Sequence, residues 1–317
     1  MAGPSFVSES KPHYGQALQI APGVRRIVAD NPSKFTYHGT GTYIVGDRQV
    51  AIIDAGPRLQ AHVDAVLRAV GDAEVTHLLV THTHGDHSPS TAAIKSATGA
   101  TSYGFGSHPA AAKDEGEAER EDTAAREDTD ELPSPEQTRL HAADTDFVPD
   151  VQVKHGDVIV GEGFSFEAIH TPGHISNHLC FSYREASALF SGDHVMGWST
   201  TIIPSPDGDM GHYLSSLELL LERDETVYYP THGPPITNPR EFVGQLLEHR
   251  LARGRQILHQ LADTSLLVDE LVEIIYADVS KELHKPAARS VESHLILLER
   301  EGRVSKSGDN PPRFCAT

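Results

Sequence analysis

The stretch VTHTHGDHSP, residues 80–89, decides how this chain is interpreted, because it places three histidines and one aspartate within six positions. It continues the apolar run THLLV, which predicts a buried strand. His82 and His84 are two apart and can face one ion, whereas Asp86 and His87, expected at the start of the next helix, can face a second. Imidazole and carboxylate donors without thiolate suit zinc, although manganese and iron accept the same donors. The stretch predicts two adjacent metal sites.

Further donors follow other predicted strands. The runs RRIVAD, GTYIVG, VAIIDAG, FSFEAIH and TVYYP predict strands, and HLCFSYREASALFSGD predicts a hairpin. Between them, VDAVLRAVG, STAAIKSATG and YLSSLELLLER have helical spacing. His174 in TPGH, Asp193 in FSGD and His232 in PTHG lie at strand ends. Strand ends are rigid and can direct side chains to one point, so these residues are predicted to complete the metal sites.

Length and cysteine content limit the class of protein. A chain of 317 residues favours one large catalytic domain with a small appendage. Cys180 and Cys315 lie far apart without a surrounding pattern, which excludes a disulfide framework and fits a reducing compartment. The N-terminal stretch MAGPSFVSESKPHYGQAL lacks a basic region and an apolar region, and no stretch is apolar for long enough to span a membrane. The expected location is the cytoplasm.

The acidic charge of the chain is concentrated in one segment. The formal net charge is −19, and residues 113–150 alone hold fourteen acidic against four basic residues, a net of −10. Within it, residues 113–142 have almost no large apolar side chains, so this stretch is expected to be a mobile, solvated insertion. An acidic arm that recruits substrate is the alternative. The charge argues against a general polyanion binder, because phosphate backbones are held by clustered Lys and Arg.

The ordered motifs THTHGDH, TPGH, SGD and THG resemble those of the metallo-β-lactamase-fold hydrolase superfamily across roughly residues 20 to 240. The resemblance implies an α+β fold, a four-layer αββα sandwich with the metal centre at one edge. By this resemblance, the expected ligands of the first metal ion are His82, His84 and His174. The expected ligands of the second ion are Asp86, His87 and His232. Asp193 would bridge the two ions, and two Zn²⁺ ions per chain are expected.

The resemblance also implies a mechanism. Two ions held by a bridging carboxylate lower the pKa of a shared water to about 7, so that a metal-bridging hydroxide becomes the nucleophile. A carbonyl oxygen of the substrate would lie against one ion. Asp86 would position the water and accept its proton, which makes Asp86 and Asp193 the expected catalytic residues. The expected substrate is a small ester, thioester, lactone or amide.

The C-terminal region predicts a second, smaller domain. The stretches SGDHVMGWST and PTHGPPITNP, followed by EHRLARGRQIL, resemble the branch containing beta-lactamase-like protein 2, in which a winged helix follows the catalytic domain. Independently, the apolar spacing predicts three helices, and RVSKSGDNPPRF predicts a two-stranded wing. The expected domains are residues 1–240, catalytic, and 241–317, winged-helix-like. The third helix is too acidic to match DNA, so packing or homodimer formation is its expected use.

Other functions remain open at this stage. Some relatives implied by the resemblance are single-strand endoribonucleases, a weak or promiscuous β-lactamase is a second alternative, and a binding module is a third. True β-lactamases tend to have cysteine or serine at the position of Asp193, which disfavours a dedicated β-lactamase. The acidic balance and a single tryptophan favour a small-molecule substrate over single-stranded RNA. No DNA or membrane partner is expected.

Four residues near the predicted site have two interpretations each. Asp54 resembles the superfamily's aspartate behind the metal ligands, but a turn-forming aspartate before Gly56 would look the same. His178 and His108 can orient the site or play a structural role. Trp198 follows Asp193 closely and can either stack on substrate or pack in the interior.

Overall fold

The computed structural model describes residues 3–108, 143–281, 284–308 and 311–317. All seven predicted metal ligands lie within these ranges. The predicted acidic insertion, residues 113–142, lies outside the described residues.

The N-terminal part of the chain forms a seven-stranded sheet whose strands follow one another in chain order. Its strands are Leu18–Ala21 (β1), Val24–Val28 (β2), Gly41–Gly46 (β3), Gln49–Ile53 (β4), Glu74–Leu79 (β5), Thr101–Gly104 (β6) and Val151–Gln152 (β7). Strands β1 to β4 pair antiparallel, and β4 to β7 pair parallel. Parallel pairing places the ends of β4, β5 and β6 at one edge.

A second sheet contains five strands in the order β12, β11, β10, β9, β8. These are Val158–Gly161 (β8), Phe164–His170 (β9), Leu179–Tyr183 (β10), Ala188–Gly192 (β11) and Val227–Pro230 (β12). Pairing is antiparallel except between β11 and β12, which are parallel. The predicted hairpin is therefore β10 and β11, joined by a single 3₁₀ turn at Arg184–Ala186.

The two sheets pack face to face, and helices cover their outer faces. In β4, Ala51 and Ile53 pack against the second sheet, whereas Val50 and Ile52 pack against helices. This alternation is expected of a strand buried on both faces. Helices Gln60–Val70 (α1) and Thr91–Thr98 (α2) cover the first sheet, and Met210–Leu221 (α3) and Pro239–Leu261 (α4) cover the second. The predicted αββα sandwich is confirmed.

Helix α4 contributes to two hydrophobic cores. Near its start, Phe242 and Leu246 pack with the second sheet and α3. Near its end, Ile257 and Leu261 pack in a separate C-terminal core. That core also contains helices Val268–Ile275 (α5) and His284–Arg300 (α6) and the strands Val304–Ser307 (β13) and Arg313–Ala316 (β14). The predicted three helices and wing are present, while the domain boundary at 240/241 stays a prediction.

The C-terminal helices are tied to the αββα sandwich by polar contacts. Arg250 on α4 donates to the Thr201 carbonyl, and Ser293 Oγ on α6 donates to the Ile203 carbonyl at 2.9 Å. Arg300, near the end of α6, pairs with an Asp209 carboxylate oxygen at 2.6 Å. Helix α6 is thus packed against the sandwich. The helices of the described residues all fall short of what a lipid bilayer requires in length or in apolar character.

Candidate metal centre

Four of the predicted ligands lie in one turn after strand β5. The His87 N–H donates to the His84 carbonyl at 3.0 Å, and helix α2 begins only at Thr91. The expectation that Asp86 and His87 start that helix is wrong, because both lie in the turn before it. The physical reason is Pro89, which disfavours helical backbone at the residue that precedes it.

The other three predicted ligands come from the second sheet. His174 lies four residues beyond the end of β9, Asp193 directly follows β11, and His232 lies two residues beyond β12. All three are buried. They meet the turn after β5, so donors from both sheets converge on one place at the edge of the sandwich.

The first group consists of three imidazoles. His82 Nε2 lies 2.8 Å from His84 Nδ1, and His174 Nε2 lies 3.0 Å from the same atom. Burial lowers the pKa of each of these histidines, and neighbouring imidazoles lower the pKa of His82 and His84 further. Neutral rings present lone pairs, so three nitrogens at this spacing can hold one ion such as zinc.

The second group combines one carboxylate with two imidazoles. Asp86 Oδ2 lies 3.2 Å from His232 Nε2 and 3.5 Å from His87 Nε2. Burial works against protonation of His232, yet Asp193 and Asp86 outweigh it and raise its pKa to about 10. Burial likewise opposes protonation of His87, but three adjacent carboxylates raise its pKa well above the usual value. The carboxylates therefore require positive charge here, which either protons or bound cations supply.

Asp193 lies between the two groups. Its Oδ2 is 3.4 Å from His87 Nε2 and 3.7 Å from His174 Nε2, and its Oδ1 is 3.4 Å from His232 Nε2. In the described part of the chain, Asp193 Oδ1 and His87 Nε2 are buried atoms without a hydrogen-bond partner. A buried polar atom without a partner is costly. The donor set and these two atoms fit a pair of cations.

Asp54 supports the second group from behind. It is fully buried, and its Oδ2 accepts hydrogen bonds from His87 Nδ1 at 2.9 Å and from Thr231 Oγ1 at 2.9 Å. Its Oδ1 accepts from the Thr81 N–H at 2.8 Å. With Nδ1 donating to Asp54, the Nε2 atom of His87 is directed to the site. The structure therefore favours the interpretation in which Asp54 orients a predicted ligand over the one in which it only forms a turn.

The structure also shows what the other ambiguous residues contact. The Asp193 N–H donates to His178 Nε2 at 3.1 Å, so His178 orients the residue between the two groups. His108 Nδ1 lies 2.9 Å from Oγ1 of Thr83, the residue that stands between the predicted ligands His82 and His84 in the sequence. Trp198 stacks on Tyr37 at 5.0 Å between ring centroids and does not line the cavity described below.

Sequence patterns alone missed two contacts to the predicted ligands. Thr40 Oγ1 donates to Asp86 Oδ2 at 2.8 Å, and Asn31 Nδ2 donates to Thr40 Oγ1 at 2.9 Å. The Ile202 carbonyl lies 2.6 Å from His174 Nδ1 and accepts its hydrogen bond. No local motif marks Thr40 or Ile202, so their contacts with the predicted ligands could be identified only from the three-dimensional structure.

A cavity opens onto the two groups. Five predicted ligands face it: His84, Asp86, His174, Asp193 and His232. Its other walls are formed by Phe35, Thr36, Met196, Ile202, Pro204 and Arg289. A substrate held in this cavity would therefore meet the metal centre at one end and largely apolar side chains elsewhere.

Comparison with known families agrees with this geometry. Residues 37–232 match the family model described as the metallo-beta-lactamase superfamily, and this range contains every predicted ligand. The chain belongs to this superfamily. Residues 268–313, a range that contains α5, α6 and β13, match the beta-lactamase associated winged helix domain. The predicted superfamily, and the winged helix that follows its catalytic domain, are confirmed.

Several relatives are similar along nearly the whole chain. The Beta-lactamase-like protein 2 homolog of Drosophila melanogaster is 31% identical over 301 residues, covering 92% of this chain and 93% of the relative. The Atrochrysone carboxyl ACP thioesterase of Aspergillus chevalieri is 28% identical over 300 residues, covering 90% of this chain and 83% of the relative. The crystal structure of a beta-lactamase domain protein from Burkholderia ambifaria has the same fold, with a TM-score of 0.76 and 20% identity over 99% of this chain and 97% of that one.

Proposed function

We propose that this protein is a di-zinc hydrolase of small acyl compounds, and that its preferred substrate is a thioester. The observation that carries the proposal is the convergence of seven donors from both sheets, five of which line one cavity. The proposal assigns His82, His84 and His174 to one ion. It assigns Asp86, His87 and His232 to the other, with Asp193 between them.

Two observations support an acyl substrate. Relatives that are similar over most of the chain carry the name thioesterase. The cavity walls beyond the donors are mostly apolar, which suits an acyl chain.

Two other functions are disfavoured. The net charge of −19 disfavours single-stranded RNA, whose phosphates need a basic path. The carboxylate of Asp193, at a position where β-lactamases tend to have cysteine or serine, disfavours a dedicated β-lactamase.

The chain's own residues define what the site would do. Divalent ions held there would supply a water of lowered pKa and polarise the carbonyl of the substrate. Asp86, which faces the cavity, would accept the proton of the attacking water, and Thr40 holds the Asp86 carboxylate in place. The water oxygen bonds to the acyl carbon and the carbon–sulfur bond breaks. The proton held by Asp86 then passes to the leaving thiolate.

The test begins with metal content and a substrate panel. Protein purified without chelators should contain close to two zinc ions per chain. It should hydrolyse an acyl N-acetylcysteamine thioester faster than the matched oxygen ester, a lactone, a cephalosporin or a single-stranded RNA. Removal of the metal with a chelator should abolish hydrolysis, and added zinc should restore it.

A pair of histidine variants provides the control. His174→Ala removes a predicted ligand and should lower both zinc content and thioester turnover by orders of magnitude. His259→Ala removes an exposed histidine of α4 and should change neither. Full activity of His174→Ala, or cleavage of RNA alone among the panel substrates, would contradict the proposal.

A further inference from the structure

One wall of the cavity comes from the C-terminal part of the chain. Arg289 lies on helix α6 and lines the cavity together with Asp86 and Asp193. In a DNA-binding winged helix, the corresponding helix presents its side chains to a DNA groove. Here the same helix presents Arg289 to the metal-site cavity.

The position of Arg289 is fixed by contacts one turn along the helix. Ser293 Oγ donates to the Ile203 carbonyl at 2.9 Å. Ile202 and Pro204, on either side of Ile203, line the same cavity as Arg289. Ser293 is buried, so this contact is shielded from water. Helix α6 is therefore held against the loop that forms the neighbouring wall.

Arg289 differs chemically from the walls around it. Apart from the predicted ligands, the described residues of the lining are Phe35, Thr36, Met196, Ile202, Pro204 and Arg289. In that set, only the guanidinium of Arg289 carries a permanent charge. A guanidinium donates paired N–H groups to the two oxygens of a carboxylate or phosphate. In a chain with a net charge of −19, such a group provides local recognition of an anion.

We infer that Arg289 binds an anionic group of the substrate, a carboxylate or a phosphate, and that the substrates are acyl compounds that carry such a group. The inference rests on the proposed hydrolase function, because it names the substrate class of the same site. The anion belongs either to the acyl part or to the thiol part of the thioester. Arg289 is a specificity residue contributed by the winged-helix region.

Two pairs of probes distinguish the source of the anion. The first pair is glutaryl N-acetylcysteamine thioester and the same thioester with its free carboxylate methylated. The second pair is acetyl 4′-phosphopantetheine and acetyl pantetheine. For each pair, the ratio of kcat/KM between the charged and the neutral probe is measured in the wild type, Arg289→Gln, Arg289→Lys and Arg255→Gln. Arg255 is an exposed arginine of α4 and serves as the control.

We expect Arg289→Gln to lower this ratio about 10- to 100-fold for at least one pair, because a charge-assisted hydrogen bond is lost. Arg289→Lys should recover part of the ratio, and Arg255→Gln should leave it unchanged. An unchanged ratio for both pairs in Arg289→Gln, with normal thermal unfolding, would overturn the inference. If the pair that responds is the phosphopantetheine pair, the anion lies on the thiol part.

Direct binding separates failure of this inference from failure of the proposed function. Calorimetry on the zinc-loaded protein compares glutarate, monomethyl glutarate, 4′-phosphopantetheine and pantetheine. The wild type should bind the more anionic member of at least one pair more tightly, and Arg289→Gln should lose that preference. Absence of any preference in the wild type would overturn the inference. Absence of thioester hydrolysis with the preference intact would overturn only the proposed function.

Discussion

Asp54 shows how a residue outside the donor set controls a predicted ligand. Its backbone has a φ of 51°, which asparagine tolerates better than most residues, so Asp54→Asn keeps the backbone conformation. The change removes the negative charge that accepts the hydrogen bond of His87 Nδ1. We expect the affinity of the second metal ion to fall roughly 10- to 100-fold, with a matching loss of turnover. Zinc titration with a competing chelator measures the affinity.

The control for this prediction is Asp72→Asn. Asp72 is exposed in the turn after α1, so its change should leave zinc affinity unaltered. Two tightly bound zinc ions in Asp54→Asn would show that His87 keeps its orientation without this carboxylate.

At the scale of single residues, the sequence predicted those parts of the site that have a local pattern. His82, His84, Asp86 and His87 are recognisable because four donors fall within six positions. Thr40 is not, because it contacts Asp86 across 46 residues of chain and is itself an ordinary threonine in a strand-rich region. Arg289 has no local pattern either, because its approach to the cavity depends on how α6 packs.

At the scale of elements, helix α4 supports the loop that orients His174. Arg250 is buried and donates to the Thr201 carbonyl and, at 3.1 Å, to Ser290 Oγ. The adjacent Ile202 carbonyl accepts the hydrogen bond of His174 Nδ1. Arg250→Met keeps much of the side-chain volume but leaves the Thr201 carbonyl unsatisfied. We expect a loss of about 2 kcal/mol in the free energy of unfolding, together with weaker binding of the first zinc ion.

Urea unfolding and zinc titration measure the two effects, and Arg255→Met on the same helix is the control. Arg255 is exposed, and its ion pair with Glu248 contributes little to stability. If Arg250→Met lost stability but kept full zinc affinity, the loop would hold His174 without help from α4.

Elements were predicted well where periodicity or turn residues mark them. Helix α1 ends before Gly71 and α2 before Gly99, as the sequence indicates. Helix α2 also starts directly after Ser90, where the run STAAIKSATG begins. Asp86 and His87 were wrongly placed at that start, because the polar residues around them fit a helix start as well as a turn. The contact between α6 and the loop at residues 201–203 was not predictable, since the apolar spacing of a helix shows that a face is buried but not what covers it.

At the scale of the whole molecule, the sharing of α4 between two cores predicts a single unfolding transition. Two probes can test this. Trp198 is the only tryptophan and reports on the sandwich. Cys315 lies in the wing and can be labelled selectively, because Cys180 is fully buried and burial raises the pKa of its thiol to about 12. We expect coincident urea transitions from tryptophan fluorescence and from the label.

The labelled protein must first show unchanged zinc content, which serves as the control for the label. Transitions that separate by more than the fitting error would show that the C-terminal core unfolds independently, in spite of the 23-residue helix that joins it to the sandwich.

Thr83 connects two distant segments of the chain beside the predicted metal site. Its side chain contacts His108, and its carbonyl accepts a hydrogen bond from the Asp144 N–H at 2.8 Å. Thr83 itself stands between His82 and His84. A displacement at residue 108 or at residue 144 would therefore reach this histidine pair through a single intervening residue.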